Sequence, residues 1–336
     1  MRTRLNFTQV AAAVALFTSL SAASVLGCTS TPRTKVYYNP PRSEWSSVSP
    51  YLCDLNSHFN CTDIKLKGDL YLPLGDTVGS MKKDMPLIIF NHGSGRDTPD
   101  LCEMASYFND HGYLFFVPFR RGTAGSTGVY FSDYLDFFAC PNGTCDQTTS
   151  HLVLLDYLDQ QTFEVRRAIE YMTGLRNSAG ERIADPQKIA IMGHSFGGMV
   201  TLFNNANMTL PKVYLPSAPA SESWVAFDTE DGSGLDDNSP SIQKLKTAAF
   251  AGHAPAFFFE PTNDVSTHPI FVLSAMNAEI GGLVPPREYQ AALFPAVPLL
   301  PGETAQDAHV KFVKDHDQVQ IWAPAARNFM ARYGVK

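Results

Sequence analysis

The sequence predicts an α/β fold in which a mostly parallel sheet is covered by helices on both faces. From residue 63 onward, short apolar runs alternate with segments whose apolar residues recur at helical spacing. Residues 85–93 form a short continuous apolar run that ends in glycine, which is typical of a parallel strand buried on both faces, and residues 113–122 read as another buried strand. Regular alternation of this kind favours parallel strands joined by crossover helices.

The individual elements follow from these patterns in chain order. Residues 64–73 alternate apolar and polar residues, which is typical of an antiparallel edge strand. The other expected strands are 85–93, 113–122, 188–195, 212–218, 254–261 and 289–296. The expected helices are 100–112, 154–175, 196–206, 269–282 and 322–334. Residues 63–336 therefore predict a single domain, and residues 28–62, rich in Pro, Ser and Tyr, predict a tether with an irregular lead-in.

Composition and charge exclude several classes of function. The chain of 336 residues is 44% hydrophobic and 18% charged, which suits a domain with a large core. The net charge is −7, and the basic residues are scattered, so we expect no nucleic-acid partner. The sequence has neither a phosphate-cradling loop nor a cysteine–histidine spacing typical of zinc, so we expect no cofactor and no metal.

The N-terminus predicts export. Arg2 and Arg4 precede an apolar segment over residues 10–27, which is the pattern of a secretory signal peptide spanning residues 1–27. We therefore expect a periplasmic or extracellular protein. Cys28 follows directly and resembles the lipidated first residue of a bacterial lipoprotein, which would attach the protein to a membrane. The alternative is cleavage nearby, with Cys28 an ordinary cysteine.

The six cysteines of an exported chain predict disulfides. Proximity in sequence favours the pairs Cys53–Cys61 and Cys140–Cys145. Cys102 is left over if Cys28 is lipidated, and a Cys28–Cys102 pair is open if it is not.

The most informative motif is Gly193-His194-Ser195-Phe196-Gly197, between a predicted strand and a predicted helix. It matches G-x-S-x-G, in which a serine nucleophile stands on a sharp strand-to-helix turn. The alternative, an ordinary small-residue turn, does not explain why a strand precedes it and a helix follows. We therefore expect Ser195 to be a nucleophile, with the backbone N–H of Phe196 as one oxyanion donor.

A serine nucleophile needs an acid and a base at the ends of later strands. Asp264 follows the apolar run 254–261 and is the favoured acid, with Glu260 as its rival. His309 is the favoured base, because the alternative, His316, stands between two aspartates in a polar run that predicts a solvated turn.

The loop after an earlier strand should supply a second oxyanion donor. Residues 90–95 read FNHGSG, and the backbone N–H of Ser94 is our candidate. We expect His92 to brace this loop by hydrogen bonds rather than to carry protons.

These motifs resemble the α/β-hydrolase superfamily, in particular its dienelactone hydrolase-like group, with kinship to prolyl-oligopeptidase-type hydrolases. The resemblance covers roughly residues 65–335 and includes PFRRGTAGSTG at 118–128, which in such enzymes forms a tight loop beside the pocket. Within it, Ser126 is expected to stabilise a turn. The chain departs from dienelactone hydrolase itself, which has a cysteine nucleophile, and the stretch from Phe294 to His309 is longer than usual.

Two further segments are candidates for the substrate pocket or for ions. Residues 128–151 interrupt the alternation and are rich in aromatics, so Tyr130 and Phe131 are candidate pocket residues, although packing of a surface loop explains them equally well. Trp224 is a third candidate. The acidic run 227–239 does not have the spacing of an EF-hand loop and is expected to be solvated rather than to bind calcium.

Together the motifs predict an exported serine hydrolase that cleaves carboxylic esters of small molecules through an acyl-enzyme. A peptidase acting on short peptides is the first alternative. A non-catalytic binding protein on the same fold is the second, and it predicts that the triad is incomplete.

Overall fold

The strands and helices lie in chain order much as the alternation predicts. The computed structural model describes residues 33–38, 65–73, 75–97, 100–131, 133, 147–219, 247–265 and 288–336. The strands are β1 (Arg33–Tyr38), β2 (Leu66–Tyr71), β3 (Met85–Asn91), β4 (Leu114–Phe119), β5 (Ala184–His194), β6 (Val213–Ser217), β7 (Ala256–Pro261) and β8 (Tyr289–Phe294). The helices are α1 (Cys102–Asp110), α2 (Gln147–Gly174), α3 (Phe196–Asn207), α4 (Ala305–Lys314) and α5 (His316–Arg332).

These strands form one sheet in the order β1-β2-β4-β3-β5-β6-β7-β8. β2 runs antiparallel to both β1 and β4, and every other neighbouring pair is parallel. The predicted fold class, a mostly parallel sheet with helices on both faces, is confirmed.

The two faces of the sheet are covered by different helices. Side chains alternate along a strand, so Leu87 and Ile89 of β3 pack with α2 and α3, whereas Ile88 and Phe90 pack with α1 and α5. All seven residues of β3 are buried. A strand with cores on both sides must be apolar at nearly every position, which is why the central strands read as continuous apolar runs.

The structure corrects several element predictions. The predicted edge strand is not at the edge, because β1 pairs outside β2 and comes from the segment that predicts an irregular lead-in. The polar positions of β2 differ in exposure, since Lys67 is partly exposed whereas Asp69 is buried. Helix α2 begins at Gln147, inside the segment predicted as an aromatic insertion.

The C-terminal region also differs from the prediction. His316 begins α5 rather than lying in a solvated turn, and α4 stands where a loop was expected. α4 has a capping box formed by Thr304 and Asp307, which stabilises its first turn. Among the described residues, no helix is long and apolar enough to cross a membrane.

Several predictions concern residues outside the described ranges. They include the signal peptide, Cys28, the helix 269–282, the acidic run 227–239 and Trp224. Cys102 is disulfide-bonded, so the alternative that leaves it unpaired is wrong, while its partner lies outside the described residues. The pairs Cys53–Cys61 and Cys140–Cys145 stay predictions.

Candidate active site

The turn that carries Ser195 is strained in the way expected of a nucleophile. β5 ends at His194 and α3 begins at Phe196, so Ser195 alone makes the turn. Its backbone has φ 58° and ψ −126°, a region that a side-chain-bearing residue rarely occupies. The Ser195 N–H donates to the carbonyl oxygen of Ser217 at 3.1 Å, which fastens the turn to the neighbouring strand β6. Such strain persists where the surroundings hold it and is concentrated at functional sites.

The flanking glycines are required by close backbone contacts. A Cβ atom added to Gly193 would lie 2.2 Å from the Gly197 carbonyl oxygen. One added to Gly197 would lie 1.9 Å from the Asn91 carbonyl oxygen. Both distances are far inside van der Waals contact, so the turn can form only with glycine at these two positions.

Asp264 and His309 are brought together. Asp264 lies in the loop after β7, and His309 lies in the second turn of α4. The Nδ1 atom of His309 is 2.8 Å and 2.9 Å from the two carboxylate oxygens of Asp264, and both side chains are almost fully buried. A carboxylate only accepts hydrogen bonds, so Nδ1–H donates and the Nε2 atom of neutral His309 is left as an acceptor.

The rival residues lie elsewhere. Glu260 is fully buried in β7, neither of its carboxyl oxygens has a hydrogen-bond partner, and burial together with the charge of Asp264 raises its pKa to about 9. The Glu260 carboxyl is therefore protonated at neutral pH, and it makes no hydrogen bond to His309. His316 is exposed on the first turn of α5, with its Nδ1 atom 2.9 Å from a carboxylate oxygen of Glu103.

Asn263 joins the loop that contains Asp264 to the segment that leads to His309. Its side-chain amide donates to the Val297 carbonyl oxygen at 3.0 Å, and its side-chain oxygen accepts from the Val297 N–H at 2.9 Å. Val297 itself is buried. This paired bond fixes the long connection between β8 and α4, and the sequence carries no signal for it beyond an asparagine next to an aspartate.

His194 packs directly against His309. The two ring centroids are 4.2 Å apart, and the His194 Nδ1 atom lies 3.1 Å from the Ser217 hydroxyl oxygen. Burial, followed by the neighbouring charge of His309, lowers the pKa of His194 well below its ordinary value. A neutral ring therefore lies beside His309 on the side of the elbow, a contact that the sequence motif does not reveal.

The loop after β3 passes close to Ser195. A Cβ atom added to Gly93 would be 3.5 Å from the Ser195 Cβ atom, and Ser94 follows it at the exposed rim. His92 is buried, its Nε2 atom is 3.4 Å from the Thr123 hydroxyl, and burial lowers its pKa well below the ordinary value. A neutral, packed His92 agrees with the bracing role expected of it.

A cavity of about 280 Å³ opens beside the elbow. Ser195, His194 and His309 line it together with residues 92–95 of the β3 loop. Its remaining wall combines Phe90, Asp97 and Leu101 with one face of α4: Gln306, Val310, Val313 and Lys314. The cavity thus joins Ser195, the Asp264–His309 pair and the loop of Ser94.

The comparisons with known proteins give structural neighbours only. No family model and no curated protein matches the sequence. An acylaminoacyl peptidase from Pyrococcus horikoshii superposes with a TM-score of 0.54 and 16% identity, over 90% of this chain and 42% of that one. DcsB, solved with a substrate analogue, gives a TM-score of 0.50 and 14% identity over 81% and 96%. A dienelactone hydrolase from Anabaena variabilis gives 0.45 and 14% over 81% and 93%.

The strand order, the elbow and the two neighbours with TM-scores of 0.54 and 0.50 agree. The protein has the α/β-hydrolase fold. At such low identities the likeness extends to the fold alone, and the chain spans less than half the length of the peptidase that it matches.

The motif at 118–128 braces the α/β-hydrolase core beside the site. The Ser126 hydroxyl donates to the Phe119 carbonyl oxygen at 2.9 Å and accepts from the Lys67 N–H at 2.9 Å, which agrees with a turn-stabilising role. Arg121 forms a buried ion pair with Glu164 of α2 at 2.8 Å. The loop is therefore held to the sheet on one side and to a helix on the other.

The candidate pocket residues lie beside the cavity rather than in its wall. The Tyr130 hydroxyl donates to the Ser94 carbonyl oxygen, and the Tyr130 ring lies 4.0 Å from the Arg96 guanidinium. Phe131 packs on Phe196 with ring centroids 5.0 Å apart. Neither side chain lines the described cavity. The alternative that these aromatics pack against the domain accounts for their positions.

Proposed function

We propose that the protein is a serine hydrolase that cleaves carboxylic esters. The observation that carries the proposal is the joint geometry of a strained Ser195 elbow and a buried His309–Asp264 pair on one cavity. A serine at an unstrained turn, or a histidine without its carboxylate, would not support it. A non-catalytic binding protein has no need of either feature.

The chemistry follows from the roles of the three residues. The Ser195 Oγ atom attacks the ester carbonyl carbon while the His309 Nε2 atom takes the hydroxyl proton. Asp264 holds the tautomer in which Nε2 is free and stabilises the imidazolium that forms. His309 then gives the proton to the departing alkoxide, which leaves an acyl group on Ser195. A water molecule, deprotonated by His309, hydrolyses that acyl-enzyme and releases the acid.

The negative oxygen of each tetrahedral intermediate needs donors already in place. Phe196 is the first residue of α3, where a backbone N–H has no partner within the helix. The N–H of Ser94 is the second proposed donor, because its loop borders the same cavity. Both donors belong to the backbone, so their positions are set by the fold.

The cavity volume favours short acyl groups. About 280 Å³ is at the small end of ligand pockets, and the wall is largely apolar at Phe90, Leu101, Val310 and Val313. We therefore expect p-nitrophenyl acetate and butyrate to be better substrates than the octanoate.

Short peptides are the second candidate substrate. The observation that favours them is the structural likeness, with a TM-score of 0.54, to an acylaminoacyl peptidase solved with a peptide chloromethyl ketone. The same three residues would cleave an amide by the same steps, with His309 protonating the departing amine.

The test is labelling of the purified protein with a fluorophosphonate, followed by mass spectrometry, with ester and peptide hydrolysis measured alongside. A single adduct on Ser195 with turnover of short-chain esters is expected, and Ser195→Ala should lose both. An adduct with peptide turnover alone would select the second candidate. Absence of any adduct in the folded protein would contradict the proposal as a whole.

The predicted signal peptide also bears on where the proposed hydrolase acts. We propose that the protein acts outside the cytoplasm, because residues 1–27 have the pattern of a signal peptide. Lipid attachment at Cys28 would shift the mass of the mature N-terminal peptide by its acyl chains, which the same mass spectrometry would detect.

A further inference from the structure

Arg120 is a buried cation that no part of the proposed mechanism uses. It follows β4 directly and is only 6% exposed. Burial lowers its pKa from the ordinary value, yet a guanidinium stays charged in proteins. Its hydrogen-bond acceptors are backbone carbonyls, the His92 imidazole lies beside it, and in the described part of the chain no carboxylate lies within ion-pair distance of it. Glu164 lies near enough to act on its charge but pairs directly with Arg121.

The guanidinium reaches the loop that carries Ser94. One amino group donates to the His92 carbonyl oxygen at 2.6 Å. The other donates to the Gly93 carbonyl oxygen and lies 3.2 Å from the His92 Nδ1 atom. Two successive peptide groups, 92–93 and 93–94, are therefore held by their oxygens from the same side.

Holding these oxygens fixes the direction of the N–H groups. In a planar trans peptide group the C=O and the following N–H point in opposite directions. The N–H groups of Gly93 and Ser94 must then point away from Arg120. The backbone at Gly93 approaches Ser195 closely, and Gly93 and Ser94 border the cavity that Ser195 lines. A donor held in this way costs no reorganisation when the oxyanion forms.

The same guanidinium also touches the other half of the proposed oxyanion site. Its central carbon lies 4.9 Å from the centre of the Phe196 ring. A cation over an aromatic face is attracted to it, and Phe196 supplies the first proposed donor. The Arg120 side chain thus contacts both the loop that carries Ser94 and the Phe196 ring, and each provides one of the two proposed donors.

From these contacts we infer that Arg120 is a positioning residue that sets the oxyanion hole, acting through the peptide groups of His92 and Gly93 and through Phe196. The inference rests on the proposed hydrolase function. Arg120 does not touch the substrate, since it does not line the cavity. Its loss should therefore weaken binding of the transition state far more than binding of the substrate.

The test compares Arg120→Met, Arg120→Gln and Arg120→Lys with the native enzyme. Rates are normalised to active sites counted by fluorophosphonate labelling, so that a misfolded fraction does not alter them. The readouts are kcat and KM for p-nitrophenyl butyrate, the rate constant for labelling Ser195, and the inhibition constant of a trifluoromethyl ketone, which forms an anionic adduct on the serine. Arg121→Lys is the matched control, because Arg121 is equally buried but bonded to Glu164.

For Arg120→Met we expect kcat to fall roughly 10²-fold to 10³-fold, as when one oxyanion donor is lost, with KM changed less than about threefold. Affinity for the trifluoromethyl ketone should fall by a similar factor. The kcat and ketone affinity of Arg120→Lys should lie between those of the native enzyme and of Arg120→Met, because one ammonium cannot hold both carbonyls in the geometry of the planar guanidinium. Arg121→Lys should lower the melting temperature without changing kcat per active site.

Two results would overturn the inference. One is an Arg120→Gln or Arg120→Met enzyme that melts normally and keeps kcat and ketone affinity within about threefold. The other is a loss confined to KM. If both of these variants fail to fold, an Arg120→Lys enzyme with native kcat per active site and native ketone affinity would equally contradict it. A native protein that neither labels at Ser195 nor hydrolyses esters would instead defeat the proposed function.

Discussion

At the scale of single residues, the site separates two buried acids that lie near each other in sequence. Asp264 meets His309 with both oxygens, whereas Glu260 lies within β7 and has no hydrogen-bond partner. Burial without a partner favours the neutral acid, and the charge of Asp264 adds to this. In the proposed mechanism, Asp264 is therefore the carboxylate that orients the base, and Glu260 is a neutral carboxylic acid without a role in the reaction.

Replacing each acid by its amide tests this division. Asp264→Asn should lower kcat about 10⁴-fold, the scale found when a triad carboxylate is replaced, because the amide no longer enforces the tautomer with a free Nε2. Glu260→Gln should keep kcat within about tenfold, because glutamine imitates the neutral acid. Steady-state ester hydrolysis by the two purified variants gives the comparison. Equal losses in both would show that Glu260 shares the role of the acid.

The two histidines allow a similar comparison. His309→Ala should reduce kcat by several orders of magnitude, because it removes the group that takes the serine proton. His316→Ala should be close to native, since His316 is exposed and pairs with Glu103 on the surface. Measuring kcat of the His309→Ala and His316→Ala enzymes with p-nitrophenyl butyrate distinguishes which histidine is the base. A large loss in His316→Ala would reverse the assignment of the base.

At the scale of elements, one face of α4 both carries His309 and forms part of the cavity wall. It carries His309 on the side that meets Asp264, and Gln306 and Val313, about one turn before and after His309, line the cavity. Residues three or four apart lie on the same face of a helix, so the position of the base and the width of the cavity are set together. The capping box at Thr304 and the paired bond between Asn263 and Val297 hold this helix in place.

Enlarging one wall residue of α4 should therefore change substrate choice. Val313 is buried and lines the cavity, so Val313→Phe should fill part of the space available to an acyl chain. We expect kcat/KM to fall at least about tenfold for p-nitrophenyl octanoate, and only a few-fold for the acetate. Ile321→Phe is the control, because Ile321 lies exposed on α5 and outside this cavity. An unchanged chain-length profile in a folded Val313→Phe enzyme would place the acyl group elsewhere.

Most elements of the core could be predicted from sequence, because burial on both faces forces β3 and the buried second half of β5, residues 189–193, to be almost entirely apolar. The elbow could be predicted because its backbone admits only glycine at two fixed positions. β1 and α4 were missed for different reasons. The six residues of β1 are stabilised by pairing with β2, which local patterning does not encode, and α4 lies in a polar run whose capping signal is short.

The candidate site shows the same contrast between features that local sequence determines and features that depend on long-range contacts. Ser195 is fixed by local constraints, so its position follows from the motif. The pairing of His309 with Asp264 spans 45 positions of sequence and depends on where two loops converge. Glu260 lies within β7 and Asp264 lies in the loop after it. Both are buried, and the observation that separates them is the contact of Asp264 with His309, which the sequence does not reveal.

At the scale of the whole molecule, the buried Glu260 lowers the free energy of unfolding increasingly as the pH rises. Burial first, and the charge of Asp264 second, raise the pKa of Glu260 from its ordinary value of 4.5 to about 9. Between these two values the unfolded chain releases the Glu260 proton while the folded protein keeps it. Because the unfolded state then binds fewer protons, this group makes stability fall as pH rises from about 5 to about 9.

Glu260→Gln should remove that slope. Near pH 4 the variant and the native protein differ only by the substitution itself, since Glu260 is protonated in both states. As the pH rises toward 9, the variant should gain on the native protein by about 1.4 kcal/mol per pH unit in free energy of unfolding. Urea unfolding of the two proteins at pH 5, 7 and 9 measures the difference, in which the titration of all other groups cancels. The exposed Glu181→Gln serves as the control. Stability curves of the native protein and Glu260→Gln that run parallel across this range would show that Glu260 ionises in the folded state as it does in water.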